Sequence, residues 1–342
     1  MKKIKIPTIL DNAMWDVWMS TYHLPVVSVA HDLEVFSCID THNGSTMEQL
    51  SQQLGISKRS VEILVGPLSG LGFLINKKHV FNLSAKAKNY LLRESQFYWG
   101  PILEGFRNHN EYKKIMEAVK IGSNQLLYGD QTYTDMWKQG SITPEAAFYF
   151  TKKMHATIFA PAVAAIETGL FKDTKALLDV GGGSGCFSIA YADKYPEYTA
   201  TIFELPVVCD IAKQYIHEYN LANRVLVHPG DFFNIQTWPS DHDGVLLSQI
   251  MHDWPEEQCK IILKNAYDAL PLGGKLYIHE MLLNTSRTSP LTTSCFDLLM
   301  FINHQSQQFT KNKLFKLLRS VGFKMPKMEK TFGYYSLVIA KK

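Results

Sequence analysis

What the chain lacks narrows its class before any motif is read. Its 342 residues hold five cysteines, Cys38, Cys186, Cys209, Cys259 and Cys295, without a CxxC pair or a Cys/His ligand spacing. An odd, dispersed set of thiols excludes a disulfide framework and a zinc site, and fits reduced cysteines in a cytoplasmic protein with no bound metal. Long apolar runs are also missing. The longest, such as Phe159–Ile166, fall far short of the roughly 20 residues that span a bilayer. In the basic opening MKKIKIPTILDN, Pro7, Asp11 and Asn12 interrupt any signal-type stretch. Net charge is small: 35 Lys plus Arg against 32 Asp plus Glu leave +3, too weak a field to gather a polyanion. Neither a membrane nor a nucleic acid is expected as a partner.

What is present reads as an ordinary globular chain. Hydrophobic residues make up 46% and charged residues 20%, which excludes disordered, collagen-like and coiled-coil classes. At about 150 residues per domain, the length implies two domains. Aromatic residues, at 12%, leave room for an aromatic-lined pocket.

Up to about residue 170 the pattern is mostly helical. Ser45 and Ser57 stand where N-caps would open two helices, MEQLSQQLG and KRSVEILVGPLSGLG, with Gly55 ending the first. Phe73–Ile75 and Val80–Leu83 then read as a small hairpin, so the unit is a winged helix-turn-helix. A DNA reader needs polar side chains along the exposed face of its second helix. This helix carries Lys58 and Arg59 only at its start, followed by Val61, Ile63, Leu64, Val65, Leu68 and Leu71, and Gly66-Pro67 should bend or break it. A scaffold or dimerisation role is therefore favoured over a DNA-binding regulator.

Beyond residue 175, strands alternate with helices: Ala176–Val180, Ala200–Phe203, Arg224–His228, Gly244–Ile250 and Lys275–His279. That alternation implies a doubly wound parallel sheet, an α/β Rossmann-like domain. A helix over Lys311–Val321 precedes a last strand, Tyr334–Ala340, expected to insert antiparallel at the sheet edge. The division is taken as a helical domain over residues 1–160 and a Rossmann-like domain over 161–342.

The strongest local signal is LLDVGGGSG, where Gly181, Gly183 and Gly185 follow a strand and open a helix whose N-terminus offers free N–H donors. Glu204 ends the next strand, at the distance where an acidic side chain meets ribose hydroxyls. Asp231 and Phe232 follow the third strand, where an adenine can be bonded and covered. The spacing is Gly-x-Gly-x-Gly behind Asp179, not the form that seats a pyrophosphate, which favours S-adenosylmethionine over NAD. The fourth strand ends in SQIMHDW, bringing His252 to the carboxyl ends of the strands, where a neutral imidazole can take a proton from a hydroxyl. Glu280, one strand over, is placed to hold the far ring nitrogen.

Together DVGGGSG, FELP (203–206), GDFF (230–233), SQIMHDWPEEQC (248–259) and ALPLGGKLYIHE (269–280) resemble the S-adenosylmethionine-dependent O-methyltransferases of the plant caffeic-acid type and the bacterial polyketide and phenazine type. In the first half, YGDQTYTDMW (128–137) and FYFTKKM (148–154) resemble later segments of that family's winged-helix dimerisation domain. The resemblance implies a homodimer formed through the N-terminal domain and methyl transfer to a hydroxyl of an aromatic or polyketide-like acceptor. It makes Gly181 the start of the cofactor loop, Glu204 the ribose ligand, Asp231 and Phe232 the adenine contacts, and Ser248 a residue near the sulfonium end. His252 becomes the base and Glu280 its partner.

Two departures qualify the match. The family usually carries Asp where this chain has Glu204. Gln308 aligns with a second carboxylate that the family brings to its histidine, and an amide orients an imidazole without stabilising its cation. That substitution keeps open a non-methylating enzyme of the same fold, with pericyclic, decarboxylating or hydroxylating chemistry. Phe150, Met154, His155, Met300, Phe301, Asn303 and His304 are the candidate acceptor contacts.

Overall fold

The structure is a computed structural model and describes residues 3–122, 133–304 and 306–342. Residues 128–132 of the YGDQTYTDMW segment lie outside the described residues. The chain divides into two compact units. One comprises Met1–Asp11, Asp135–Met281 and Asn312–Lys342; the other comprises Asn12–Thr134 and Leu282–Lys311. The expected division at residue 160 followed sequence order alone. In space, Leu282–Lys311 joins the N-terminal helices, and the helix Pro144–Glu167 lies wholly with the sheet.

In the helical unit, Met47–Leu54 and Lys58–Gly70 are the two expected helices, and β1 (Leu74–Lys77) pairs antiparallel with β2 (Val80–Leu83). Thr46, not Ser45, caps the first helix: its hydroxyl accepts the Gln49 N–H while the Gln49 side chain takes the Thr46 N–H, a reciprocal capping box. Ser45 instead bridges backbone to backbone with Phe81. Ser57 caps the second helix as expected, and Gly55 closes the first at φ +64°.

Gly66-Pro67 does not interrupt the second helix, which runs on to Gly70. Val61, Ile63, Leu64, Val65 and Leu68 are all buried, and that packing outweighs the roughly 3 kcal/mol a mid-helix proline costs. Gly66 serves a close approach: a Cβ there would stand 3.0 Å from the Arg287 carbonyl oxygen.

Four charged side chains tie the second helix to the 282–311 segment. Asp297 takes two bonds from Arg59, at 2.7 and 2.8 Å, and one from Arg287 at 2.8 Å. Glu62 closes the circuit, 2.6 Å from Arg59 and 2.7 Å from Arg287. Arg59, which a DNA reader would need at its surface, is thus committed inside its own unit.

The other unit holds a seven-stranded sheet in the order β5-β4-β3-β6-β7-β9-β8, with β3 Ala176–Val180, β4 Thr199–Glu204, β5 Val225–Pro229, β6 Gly244–Ser248, β7 Lys275–Met281, β8 Lys324–Lys330 and β9 Tyr335–Lys341. β3 to β7 are parallel; β9 runs antiparallel to both β7 and β8. The terminal strand therefore enters the sheet one place in from the edge, and the edge itself is β8, which alternation does not reveal. Its sequence KMPKMEK is mostly exposed, rich in lysine, interrupted by Pro326 and bulged, the marks of a strand protected against further pairing.

Under the sheet, Ile166, Phe171, Phe187, Tyr191, Leu246, Tyr277 and Leu337 share one core cluster. Strand order reverses at β3, between β4 and β6, and such a reversal opens a crevice at the carboxyl ends of the strands.

Candidate active site

Every strand from β3 to β7 delivers a candidate residue to that crevice. β3 ends in the loop Gly181–Gly185, where Gly181, Gly183 and Gly185 all have positive φ, at +63°, +55° and +79°. A Cβ on Gly181 would stand 2.5 Å from Ile250 Cδ1 and would force that side-chain end to shift, and the positive φ strains any larger residue there. Asp179 lies behind the loop, 2% exposed, accepting the Ser188 hydroxyl at 2.8 Å; a Cβ on Gly182 would reach within 2.8 Å of its carboxyl carbon. Burial raises the Asp179 pKa to about 6 against the pull of Ser188.

Glu204 ends β4 with each oxygen on a backbone N–H, Gly183 at 3.1 Å and Leu205 at 2.7 Å. It thus joins the loop to the second strand. Burial pushes its pKa up to about 7, the two N–H bonds oppose that rise, and the Asp179 charge adds to it.

After β5, the Asp231 carboxylate accepts the Phe233 N–H at 2.9 Å and shapes the turn. Two residues beyond the sequence reading hold this turn: Trp238 Nε1 and Asn265 Nδ2 donate to the Phe232 carbonyl at 3.1 and 2.9 Å. Trp254 packs edge-on against the rings of Phe232 and Phe233.

β6 stops at Ser248, two residues earlier than expected, because Gln249 turns the chain at φ +57°. A left-handed conformation at a residue other than glycine is costly and collects at functional sites. Its effect is local and specific. The turn aims the Met251 N–H at Glu280 Oε1 (3.1 Å) and the Gln249 amide at Glu280 Oε2 (3.0 Å). His252 Nδ1 lies 2.6 Å from the same Oε2. Gln249 thus supports Glu280 directly, and only its place beside the HDW motif could have pointed to it.

His252 is 4% exposed and Glu280 1%. With the carboxylate on Nδ1, the tautomer is assigned with its proton there, leaving Nε2 as the basic nitrogen. Burial alone would lower the imidazole pKa, but the Glu280 charge, then Asp253, outweigh it and raise it to about 9. Ser248 lies 3.4 Å from His279 Nδ1, and burial holds His279 low, at about 3.

The candidate acceptor contacts separate into the two units. On the helix Pro144–Glu167, Phe150 packs 5.1 Å from the Trp137 ring, Met154 is half-buried, and His155 bonds Ser184 of the glycine loop. On the helix Leu291–Asn303 of the helical unit, Met300 and Phe301 are buried, with the Arg59 guanidinium over the Phe301 ring, while Asn303 and His304 beyond it are half-buried. Gln308 belongs to that unit as well. Its backbone N–H donates to Asp297 at 2.6 Å, its carbonyl accepts Arg287 at 3.0 Å, and its fully buried side-chain amide has no hydrogen-bond partner among the described residues.

Residues 112–324 match the family model described as an O-methyltransferase domain. The chain is 28% identical to 3-hydroxy-5-methyl-1-naphthoate 3-O-methyltransferase of Streptomyces sahachiroi, over 92% of this chain and 89% of that protein. It is 31% identical to acetylserotonin O-methyltransferase of Gallus gallus, over 93% of each. Among solved structures, the fold matches an O-methyltransferase family 2 protein from Planctomyces limnophilus in complex with apigenin, with TM-score 0.84, 23% identity, and 99% and 98% of the two chains covered.

Proposed function

The chain belongs to the O-methyltransferase family, and from that premise we propose that its acceptor is an aromatic or polyketide-like hydroxyl and that His252 is the general base. The protein is an S-adenosylmethionine-dependent O-methyltransferase of small molecules. The observation that carries the finer reading is the buried His252–Glu280 pair at the carboxyl end of the parallel sheet, 2.6 Å apart. Naphthoate and apigenin, named with two of the similar proteins, support an aromatic acceptor.

The residues present fit the cofactor. Gly181, Gly182 and Gly183 bring backbone close without side chains, Glu204 offers a carboxylate for ribose hydroxyls, and Asp231 and Phe232 suit an adenine. Ser248 is proposed beside the sulfonium end. When bound, S-adenosylmethionine supplies a methyl group already activated on sulfur, so positioning contributes much of the acceleration. Glu280 fixes the Nδ1 proton of His252, and Nε2 receives the proton of the acceptor hydroxyl. The imidazolium so formed faces a carboxylate that is itself oriented by Gln249 and by the Met251 N–H. Phe150 and Met154, on the helix Pro144–Glu167 of the same unit, are proposed to contact the acceptor.

A homodimer through the helical unit is also proposed, supported by the exposed Met14, Val17, Trp99 and Ile102 of that unit. A cytoplasmic setting is also proposed, on the odd and dispersed set of five cysteines in the sequence.

The test is turnover of phenols, catechols and hydroxyquinones, with S-adenosylhomocysteine read by mass. His252→Ala should lose about 10²- to 10⁴-fold in rate while still binding cofactor. Near wild-type rates would remove the base assignment, and product without S-adenosylhomocysteine would remove methyl transfer.

A further inference from the structure

The sequence places His155 among the acceptor contacts, but its imidazole is committed elsewhere. Nδ1 lies 2.8 Å from the Ser184 hydroxyl, and Ser184 is 4% exposed. The Cys186 sulfur completes a compact set, 3.3 Å from the hydroxyl and 3.4 Å from Nδ1. The ring is clamped between two others: Tyr215 at 4.1 Å and 21°, and Phe159, one turn further along its own helix, at 5.0 Å and 18°. Such a sandwich removes the ring's freedom to swing away from Ser184.

Ser184 stands between Gly183 and Gly185, both at positive φ. Glycines leave a loop many conformations, and ordering it on binding costs free energy that prior fixation avoids. On one side the loop is anchored by the Gly183 N–H on Glu204. On the other side His155 anchors it through Ser184, at a shorter distance than Cys186. We propose that His155 is a positioning residue for the cofactor, holding the Gly181–Gly185 loop in its binding conformation through the Ser184 hydroxyl. This rests on the loop being the S-adenosylmethionine site and is independent of which acceptor is used.

Calorimetric titration of S-adenosylhomocysteine tests it on four variants. His155→Phe keeps the ring sandwich and loses the bond; His155→Asn keeps a polar atom for Ser184 and loses the ring; Ser184→Ala removes the other partner; the fourth combines His155→Phe with Ser184→Ala. Loss of one buried hydrogen bond should weaken cofactor binding about tenfold in His155→Phe and in Ser184→Ala. The double variant should be no weaker than the poorer single one, because both remove the same interaction. His155→Asn should retain more affinity than His155→Phe, and the acceptor KM at saturating cofactor should stay unchanged in both. Affinity within twofold of wild type in His155→Phe, or additive losses in the double variant, overturns the proposal. An acceptor KM raised with cofactor affinity intact would return His155 to the acceptor. Failure of every variant and of the wild type to bind S-adenosylhomocysteine would instead count against the cofactor site itself. If His155→Phe does not fold, the comparison of His155→Asn with Ser184→Ala decides.

Discussion

Replacing Glu280 with Gln leaves the shape of the buried pair nearly intact and removes its charge. In the wild type the His252 pKa stands at about 9, against an ordinary 6.5. At 1.36 kcal/mol per pH unit, that difference favours the imidazolium by about 3 kcal/mol. The folded-state value lies above the unfolded one, so this stabilisation is fully present below pH 6.5 and is lost as pH rises through about 9. Unfolding of the two proteins between pH 6 and 9.5 should therefore show a wild-type advantage of about 3 kcal/mol at the acid end that shrinks toward the alkaline end. The rate profile supplies a second reading of the same quantity. Proton acceptance needs a neutral ring, so wild-type kcat/KM should climb with pH through an inflection near 9 and level off above it. In Glu280→Gln the inflection should fall to 6.5 or below, since burial is then opposed mainly by Asp253, and the plateau should drop because the charged ring has lost its carboxylate. Use of one acceptor throughout cancels the acceptor's own ionisation. A stability difference that stays constant across this range, or an inflection that does not move, would refute the pairing argument.

Two other perturbations follow from groups described above. Burial holds the Glu204 pKa at about 7, so its carboxylate form prevails only above that pH; cofactor affinity should rise as pH passes up through 7, and Glu204→Gln should flatten the curve, whereas a flat wild-type titration from pH 6 to 8 would speak against Glu204 as the ribose ligand. Arg59→Ala leaves Asp297 and Glu62 short of a partner in the buried network of the helical unit, which should cost about 3 kcal/mol in thermal or denaturant unfolding; an unchanged midpoint would mean the network holds nothing together.

Local chemistry made most of the sheet unit legible. β3 and the helix Lys311–Val321 carry the expected bounds, and Gly181, Glu204, Asp231, His252 and Glu280 all stand at or just beyond strand ends, as the alternation of strands and helices requires. What stayed hidden depends on contacts distant in sequence. β8 is shielded by its lysines and proline, so it does not look like a strand. Gly66-Pro67 reads as a break because the burial that overrides it comes partly from residues more than two hundred positions later. Gln249 shows no periodicity or charge, and its importance emerges only when a left-handed turn sets it against Glu280. His155 reads from the sequence as an acceptor contact, and its bond to Ser184 emerges only where the fold brings the glycine loop against it.

The ion circuit of the helical unit also constrains how the chain can be made. Asp297 and Arg287 complete a circuit begun by Arg59 and Glu62, and all of Asp135–Met281 lies between them in sequence. During vectorial synthesis the early helices emerge with a guanidinium and a carboxylate whose counterparts have not yet been translated. β3 to β7 are produced first, the helical unit can finish only afterwards, and β8 and β9 come last. A fragment cut near residue 134 or 160 would carry that unfinished circuit permanently, so dissection of this protein should keep Leu282–Lys311 with Asn12–Thr134, by direct fusion of the two segments rather than truncation.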